Sequence, residues 1–474
     1  MYPARLKKLL RDMADNDPLI RRSSAEALAD GDERAIYPLI KALRDENLGV
    51  QDAAMRSLME IREETTAYMV LPLLRENPFL RNTAMIILRE LGSIAVPLLY
   101  PLLHDKDDDI RKFALDLIHD IQYCDYPEKL AQMLSEDRNA NVRASAAKTI
   151  GKLQYKRAVP QLIKALGDEE WVCFSALEAL TRFKDESALP SMLALLKSPA
   201  ETLRCAAIEA LGKMGSSRAI KPLTGHLSKT EKFEKRATLK SLVQTGSVPS
   251  LSGVSDALIE MLQGDNWEDK FTAMKGLVSL KAEYAIHHLV DMAGSLDLSD
   301  PESEDRLKVI KEAIHSFGCN TTLIDLLNDT AIKYRGKVIA IEIMGSLKCK
   351  KSVPSLIKLL KGNYRDERRS SIKSLGQIDS AHAKQCLLES ISDDDSHVRK
   401  TAAVALGRIA EMSAFEPLMK MLKIEKYSDV IDSFIEALIT INAARFLSRI
   451  DEYNDDIRDR VAPYTSHLNS GAPC

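Results

Sequence analysis

The chain has 474 residues, of which 45% are apolar, 28% charged and 5% aromatic, and Lys+Arg 66 against Asp+Glu 69 leaves a formal net charge of −3. This is the balance of a folded, water-exposed protein; it excludes disorder along the whole length and a collagen-like chain. The near-neutral charge supplies no general attraction to nucleic acid or to an anionic membrane, and no apolar run approaches the roughly 18 residues that a transmembrane helix needs.

The opening MYPARLKKLLRDMADND has neither the apolar core nor the small-residue cleavage site of a secretory leader, so none is expected. The seven cysteines (124, 173, 205, 319, 349, 386 and 474) are odd in number and widely scattered. That pattern predicts reduced thiols in a cytoplasm rather than a disulfide framework. Few aromatics and only 20 glycines disfavour a barrel or sandwich.

Along the chain the sequence repeats itself. DPLIRRSSAEALAD (17–30), DDDIRKFALDLIHD (107–120), NANVRASAAKTIGK (139–152) and DSHVRKTAAVALGR (395–408) align on one basic anchor. The anchors are Arg21, Arg81, Arg111, Arg143, Arg204, Lys235, Lys270, Lys337, Arg368 and Arg399, with Gln51, Cys173, Leu307 and Ile431 in the equivalent places. This makes fourteen copies, spaced 30 to 32 residues apart except for two spacings of 35 and 37. Seven residues after each anchor, all fourteen positions are large and apolar; three residues after it, twelve of the fourteen are Ala, Ser or Thr. Offsets of three and seven share one helical face, so small residues would let helices approach while large ones fill the space between them.

Each unit therefore reads as two helices, with the anchor in the second. Asp17, Asn47, Asn77, Asp107, Asn139, Asn266 and Asp395 stand four residues before an anchor and are expected to cap the second helix. Pro18 and Pro78 follow at the first helical position. First helices read like AIYPLIKALRD (35–45) or SVPSLIKLLKG (352–362), with Pro38, Pro97, Pro160, Pro190, Pro222, Pro354 and Pro417 near their starts, where each begins or kinks the helix. A unit of about 31 residues cannot bury its apolar stripe alone, so stacking of neighbours is required.

On these residues the chain resembles HEAT-repeat proteins, in particular the short HEAT-like repeats of phycobilin lyase subunits. The resemblance implies an all-α fold: an alpha-alpha superhelix, a right-handed HEAT/armadillo-like solenoid of about 14–15 helical pairs whose second helices line the concave face. The array is uneven. Before the anchor, seven apolar residues (Ile20 to Leu203) give way to Glu234, Asp269, Arg306, Gly336 and Glu367, and Val398 and Val430 restore the pattern. The expected organisation is a regular sub-array over 1–245, an irregular joint with an acidic loop over 246–305, a second sub-array over 306–442, and a polar cap and frayed tail over 443–474.

No catalytic constellation emerges. The sequence has no CxxC pair, HExxH, Walker A or GxGxxG. His287 and His288 are adjacent, point about 100° apart on a helix, and are read as a structural pair. Deoxyhypusine hydroxylase, a HEAT-repeat enzyme, holds its di-iron site with His-Glu pairs, but none of the nine histidines here precedes a Glu. No cofactor or metal is therefore assigned. The anchor basics are read as stacking contacts to a cap or to a neighbouring carbonyl, in preference to a ladder for phosphates.

Function is sought one and five residues after the anchor, on the expected inner wall. Those two columns hold eleven basic and nine acidic residues, a near-balance that argues against a nucleic-acid groove and suits protein partners. The basic stretch KTEKFEKRATLK (229–240) and its neighbours supply the candidate contact residues: Trp171, Phe174, Glu178, Glu209, Arg236, Lys240, Trp267, Phe271 and Lys275. For the tryptophans, capping the core between units is the alternative. The acidic loop DLSDPESED (297–305) either folds onto the basic stretch or is solvated, solvation being the default. The expected function is a non-catalytic, cytoplasmic protein-interaction scaffold. Two alternatives come with the family: an enzyme-associated role of bilin-lyase or hydroxylase type, and nucleic-acid binding as in HEAT-like DNA glycosylases.

Overall fold

The computed structural model describes residues 3–230, 232–246, 248–250, 253–297, 299–329, 331–378 and 380–469. The expected frayed tail, 470–474, lies outside the described residues. Every regular element among the described residues is helical: twenty-nine α-helices and a set of short 3-10 turns at their ends. The chain forms two compact units, Met1–Ser247 and Val248–Cys474.

The first unit holds eight helical pairs, from Pro3–Asp12 with Pro18–Ala27 to Ile220–Leu227 with Lys232–Gln244. Within it each second helix packs on the next, in order from Pro18–Ala27 through Leu48–Glu60, Pro78–Leu91, Asp108–Ile121, Ala140–Lys152, Glu170–Phe183 and Glu201–Met214 to Lys232–Gln244. The second unit holds six pairs, from Val254–Gln263 with Trp267–Ser279 to Phe415–Leu422 with Ser428–Leu447. A last helix, Asp455–Asn469, covers Ser428–Leu447. It buries Ile457 and Val461, and the Tyr453 hydroxyl before it donates to the Met419 carbonyl at 2.8 Å.

The two sequence columns form the core. All fourteen large residues seven after the anchor, Leu28 to Leu438, are 0% exposed, and no residue of the small column exceeds 4%. Each buried Leu or Ile contributes roughly 1.5–3 kcal/mol by leaving water, and none can do so without a neighbouring unit. Close approach goes further than the small column suggests. Gly151, Gly212, Gly345, Gly376 and Gly407 stand eight residues after their anchors, each against a small residue of the following unit. A methyl on Gly151 would meet Ala179 Cβ at 2.8 Å, and one on Gly345 would meet Ser374 Cα at 2.7 Å.

The helix ends follow the expected chemistry. Asp17, Asn47, Asn77, Asp107, Asn139, Asn266 and Asp395 all accept a backbone N–H of their helix's first turn. Pro97, Pro160, Pro190 and Pro354 sit in the first two positions of first helices, whereas Pro38 lies inside Glu33–Ala42.

The anchors work as a stacking ladder, with partners the sequence did not single out. Arg21, Arg111, Arg143, Arg204, Arg368 and Arg399 each donate to the carbonyl six residues earlier, at 2.8–3.0 Å. Their other nitrogens reach carboxylates of the next unit: Asp45, Asp137, Asp168, Glu234, Asp393 and Glu425. The carbonyl belongs to the anchor's own turn, and the cap is not the partner. Five of the acids, Asp45, Asp137, Asp168, Asp393 and Glu425, also accept a backbone N–H of their own turn, so each of these rungs ties two consecutive turns together.

Two features depart from the plain repeat pattern. The polar residues before the anchor, Glu234, Asp269 and Glu367, are buried. Glu234 is the rung for Arg204, replacing the aspartate that Lys229 displaces from the usual place. And not all cysteines are reduced thiols: Cys319 and Cys349 form a disulfide with a Cα–Cα distance of 5.5 Å. They lie 30 residues apart, one repeat, so equivalent turns of adjacent units bring them side by side.

Candidate functional site

The side chains one and five residues after the anchor are held outward by the same helical register that buries positions three and seven. None of them is buried. Many are already matched along their own helix: Arg22 with Glu26 at 2.9 Å, Asp52 with Arg56 at 2.8 Å and Lys112 with Asp116 at 2.6 Å. Pairs of this kind stabilise a helix by only a few tenths of a kcal/mol, so they are cheap to exchange for a partner's groups. Their effect on the field is larger, because they cancel charge locally along the first repeats.

In the first unit, Trp171 is 65% exposed and meets Phe174 edge-on, with ring centroids 6.4 Å apart. That exposure excludes a core-capping role for Trp171. Phe174, Glu178 and Glu209 line a cavity of about 310 Å³ between helices Glu170–Phe183 and Glu201–Met214. Glu178 is paired with Arg182 at 2.8 Å and Glu209 with Lys213. Arg236 and Lys240, on Lys232–Gln244, are half-buried and engaged in interactions of their own.

In the second unit, Trp267, Phe271 and Lys275 recur every four residues on one helix face. Lys275 Nζ lies 4.2 Å from the Phe271 ring centroid, and the Arg306 guanidinium 5.3 Å from that of Trp267. The nine candidates thus form two groups, Trp171 to Lys240 in one unit and Trp267 to Lys275 in the other. The acidic loop closes on itself: Asp297 binds Ser299, while Asp300 and Glu302 pair with Arg306.

A groove that the candidate set missed crosses the second helices of the second unit. One cavity, of about 1070 Å³, lies among Ser303–Ser316, Tyr334–Ser346 and Arg365–Ile378 and includes Lys308, Glu312, Glu342 and Lys373. A second, of about 600 Å³, shares Glu342 and Lys373 with it and adds Tyr334, Arg365 and Arg369. Lys308, Glu312, Val338, Glu342, Arg369 and Lys373 all belong to the outward columns, so the signal was present in the sequence. The draw of the two tryptophans concealed it. His287 Nε2 lies 3.0 Å from Asp329, and among the described residues no three His, Cys, Asp or Glu side chains are disposed to hold a metal ion. No described helix is long and apolar enough to cross a membrane.

No curated protein matches the sequence. Among solved structures, the chain is similar to one described as Kap95p binding inducing the switch loops of RanGDP to adopt the GTP-bound conformation. The identity is 13% and the TM-score 0.53, over 99% of this chain and 75% of that one. It is also similar to importin beta in an ammonium sulfate condition, at 12% identity and a TM-score of 0.47, over 92% of this chain and 74% of that one. At such identities the likeness is one of fold. The family described as HEAT repeats matches residues 3–89, 127–173, 172–243 and 353–439, more than half of the chain. The chain belongs to the HEAT-repeat family, and each of its two units is an α-solenoid of HEAT-repeat pairs.

Proposed function

We propose that the protein is a non-catalytic scaffold that binds partner proteins along the faces of its second helices. The observation that carries this reading is the strict split of each second helix. Positions three and seven after the anchor are sealed in the core, whereas positions one and five stay unburied and carry charges of both signs along the array, three pairs of which, Arg22–Glu26, Asp52–Arg56 and Lys112–Asp116, are matched on their own helices. Such a surface supplies register and selectivity for a protein partner, and it lacks the basic excess that counterion release from a phosphate backbone demands. Within it, Trp171 with Phe174 and Phe271 with Lys275 are proposed contact points, because exposed aromatic anchors dominate binding energy. The 30-to-32-residue spacing supports placing the units in the short, phycobilin-lyase-type class, without carrying over an enzymatic partnership.

Cross-linking of complexes formed by the full chain in native lysate tests the reading. Cross-links to a partner are expected from second-helix lysines such as Lys148, Lys275, Lys373 and Lys400. Cross-links confined to first-helix lysines such as Lys41, Lys358 and Lys420 would overturn it.

A further inference from the structure

We infer that the groove between helices Tyr334–Ser346 and Arg365–Ile378 binds an extended peptide segment carrying acidic residues at alternate positions. The inference rests on the scaffold reading and names one occupant for one stretch of it. Arg365, Arg369 and Lys373 follow one another every four residues on the helix that walls the cavity of about 600 Å³. Arg335 joins them from the facing helix. The cavity holds two carboxylates, and both are occupied: Glu342 pairs with Lys311 at 2.8 Å and Asp366 with Arg365 at 3.2 Å. Arg335 donates to the Leu296 carbonyl at 2.8 Å, which satisfies a hydrogen bond and leaves its charge standing. Arg369 has only a 3.8 Å approach to the already engaged Asp366, and Lys373 has no ion pair among the described residues. The groove is therefore positive after its internal pairs are made.

Spacing selects the ligand. Residues four apart on a helix are displaced by about 6 Å along its axis, and alternate residues of an extended strand by about 6.6 Å. An extended segment lying along the ridge can thus present successive carboxylates to Arg365, Arg369 and Lys373. Guanidinium forks favour such planar anions. The intervening side chains of that strand point the other way, and Val338, half-buried in the groove, offers apolar contact beside the ridge. A single-stranded nucleic acid has a similar phosphate spacing but needs open rings for its bases. Here Tyr334 and Tyr364 pack against each other, with centroids 5.2 Å apart, and the Tyr334 hydroxyl accepts the Asp366 N–H at 3.2 Å. The rings are tilted 52° to one another and partly exposed, so a nucleic-acid occupant is one outcome of the test below.

The test is fluorescence polarisation with the full chain and three labelled probes: a short peptide with glutamate at alternate positions, the same peptide with lysine, and an oligouridylate of equal length. The glutamate peptide is expected to bind, more weakly as salt rises. The Arg369→Glu, Lys373→Glu double variant should weaken it at least about tenfold, a change of about 1.4 kcal/mol, and Arg369→Gln, Lys373→Gln by less. Both positions are exposed, and unchanged helical circular dichroism checks that the fold survives. No binding of the glutamate peptide, equal binding to wild type and double variant, or tighter binding of the oligouridylate would each overturn the inference. If partner cross-links still fall on second-helix lysines, only this groove assignment fails; if they do not, the scaffold reading fails with it.

Discussion

Arg204 Nε stands 2.8 Å from Glu234 Oε1, and this contact joins two successive repeats. The same guanidinium donates to the carbonyls of Ser198 and Pro199 in its own turn, and His226 Nε2 lies 2.8 Å from the same carboxylate oxygen. The hydrogen bond from Arg204 holds Glu234 below the usual carboxylate range against the upward push of burial, and His226 adds to it. Removing one partner of such a pair leaves the other charge stranded. Arg204→Ala is expected to lower the melting temperature, whereas Arg204→Met with Glu234→Leu should lie closer to wild type. Thermal denaturation, with hydrogen exchange over 198–240, reads both. A single variant that melts with the wild type would show that the ladder does not hold the units together.

The repeat was legible because burial in a stacked array is periodic. A residue seven places after an anchor has the same neighbours in every unit, so Leu28 and Leu438 obey one rule. The caps were legible for a similar reason, since Asn47 and Asp395 act within their own turn. What escaped the sequence were contacts between units. Asp45 and Glu425 lie 24 and 26 residues from the arginines they hold, and nothing local marks them as rungs. Glu234 read as a break in an apolar column because its partner, Arg204, is one repeat away. The candidate site suffered in the same way: chemical rarity drew attention to Trp171 and Trp267, while the positive excess along Arg365–Lys373 appears only after its acids are seen to be occupied.

Close approach at the glycine positions makes a sharp pair of predictions. At Gly345 a methyl would fall 2.7 Å from Ser374 Cα, and backbone cannot give way as a flexible side chain can. Gly345→Ala should force Tyr334–Ser346 and Arg365–Ile378 apart and cost about 1–3 kcal/mol. Gly225, in helix Ile220–Leu227, has nothing within 4 Å of the added carbon. Gly225→Ala should therefore stabilise, by about 0.5–1 kcal/mol, through helix propensity alone. Two melting curves suffice, and equal shifts would show that the interhelical contact does not set the spacing.

Acid should loosen the ladder, while one buried acid should run the other way. The hydrogen bond from its arginine holds Asp45 and Asp168 below the ordinary carboxylate range, which lies near 4. Stability from groups with depressed folded values is present above about pH 4 and is lost as pH falls further. Glu367 differs. It is 6% exposed, and burial pushes its pKa up while the charge of Lys337 only partly opposes this. Its contribution is present at low pH and is lost as pH rises through its raised value. Glu367→Gln is thus expected to raise the melting temperature at pH 7 and to leave it unchanged near pH 4. A lower melting temperature at pH 7 would mean that Glu367 is a working rung for Lys337.

The Cys319–Cys349 bond ties together the turns that follow helices Ser303–Ser316 and Tyr334–Ser346. These two helices wall the cavity of about 1070 Å³, and Lys311 and Glu342 already join them at 2.8 Å. The covalent link therefore fixes one end of a groove whose middle is held by a half-exposed ion pair. Closing a loop of 30 residues removes chain entropy from the unfolded state worth roughly 3–4 kcal/mol. Reductant should lower the melting temperature of the second unit and speed amide exchange at the ends of both helices. Cys319→Ser should reproduce that state and make the protein insensitive to reductant, with Cys349→Ser behaving alike. Thiol titration of the unfolded, unreduced chain should then count five free thiols of the seven cysteines. Seven free thiols, together with a reductant-independent melt, would show that the two turns merely sit side by side.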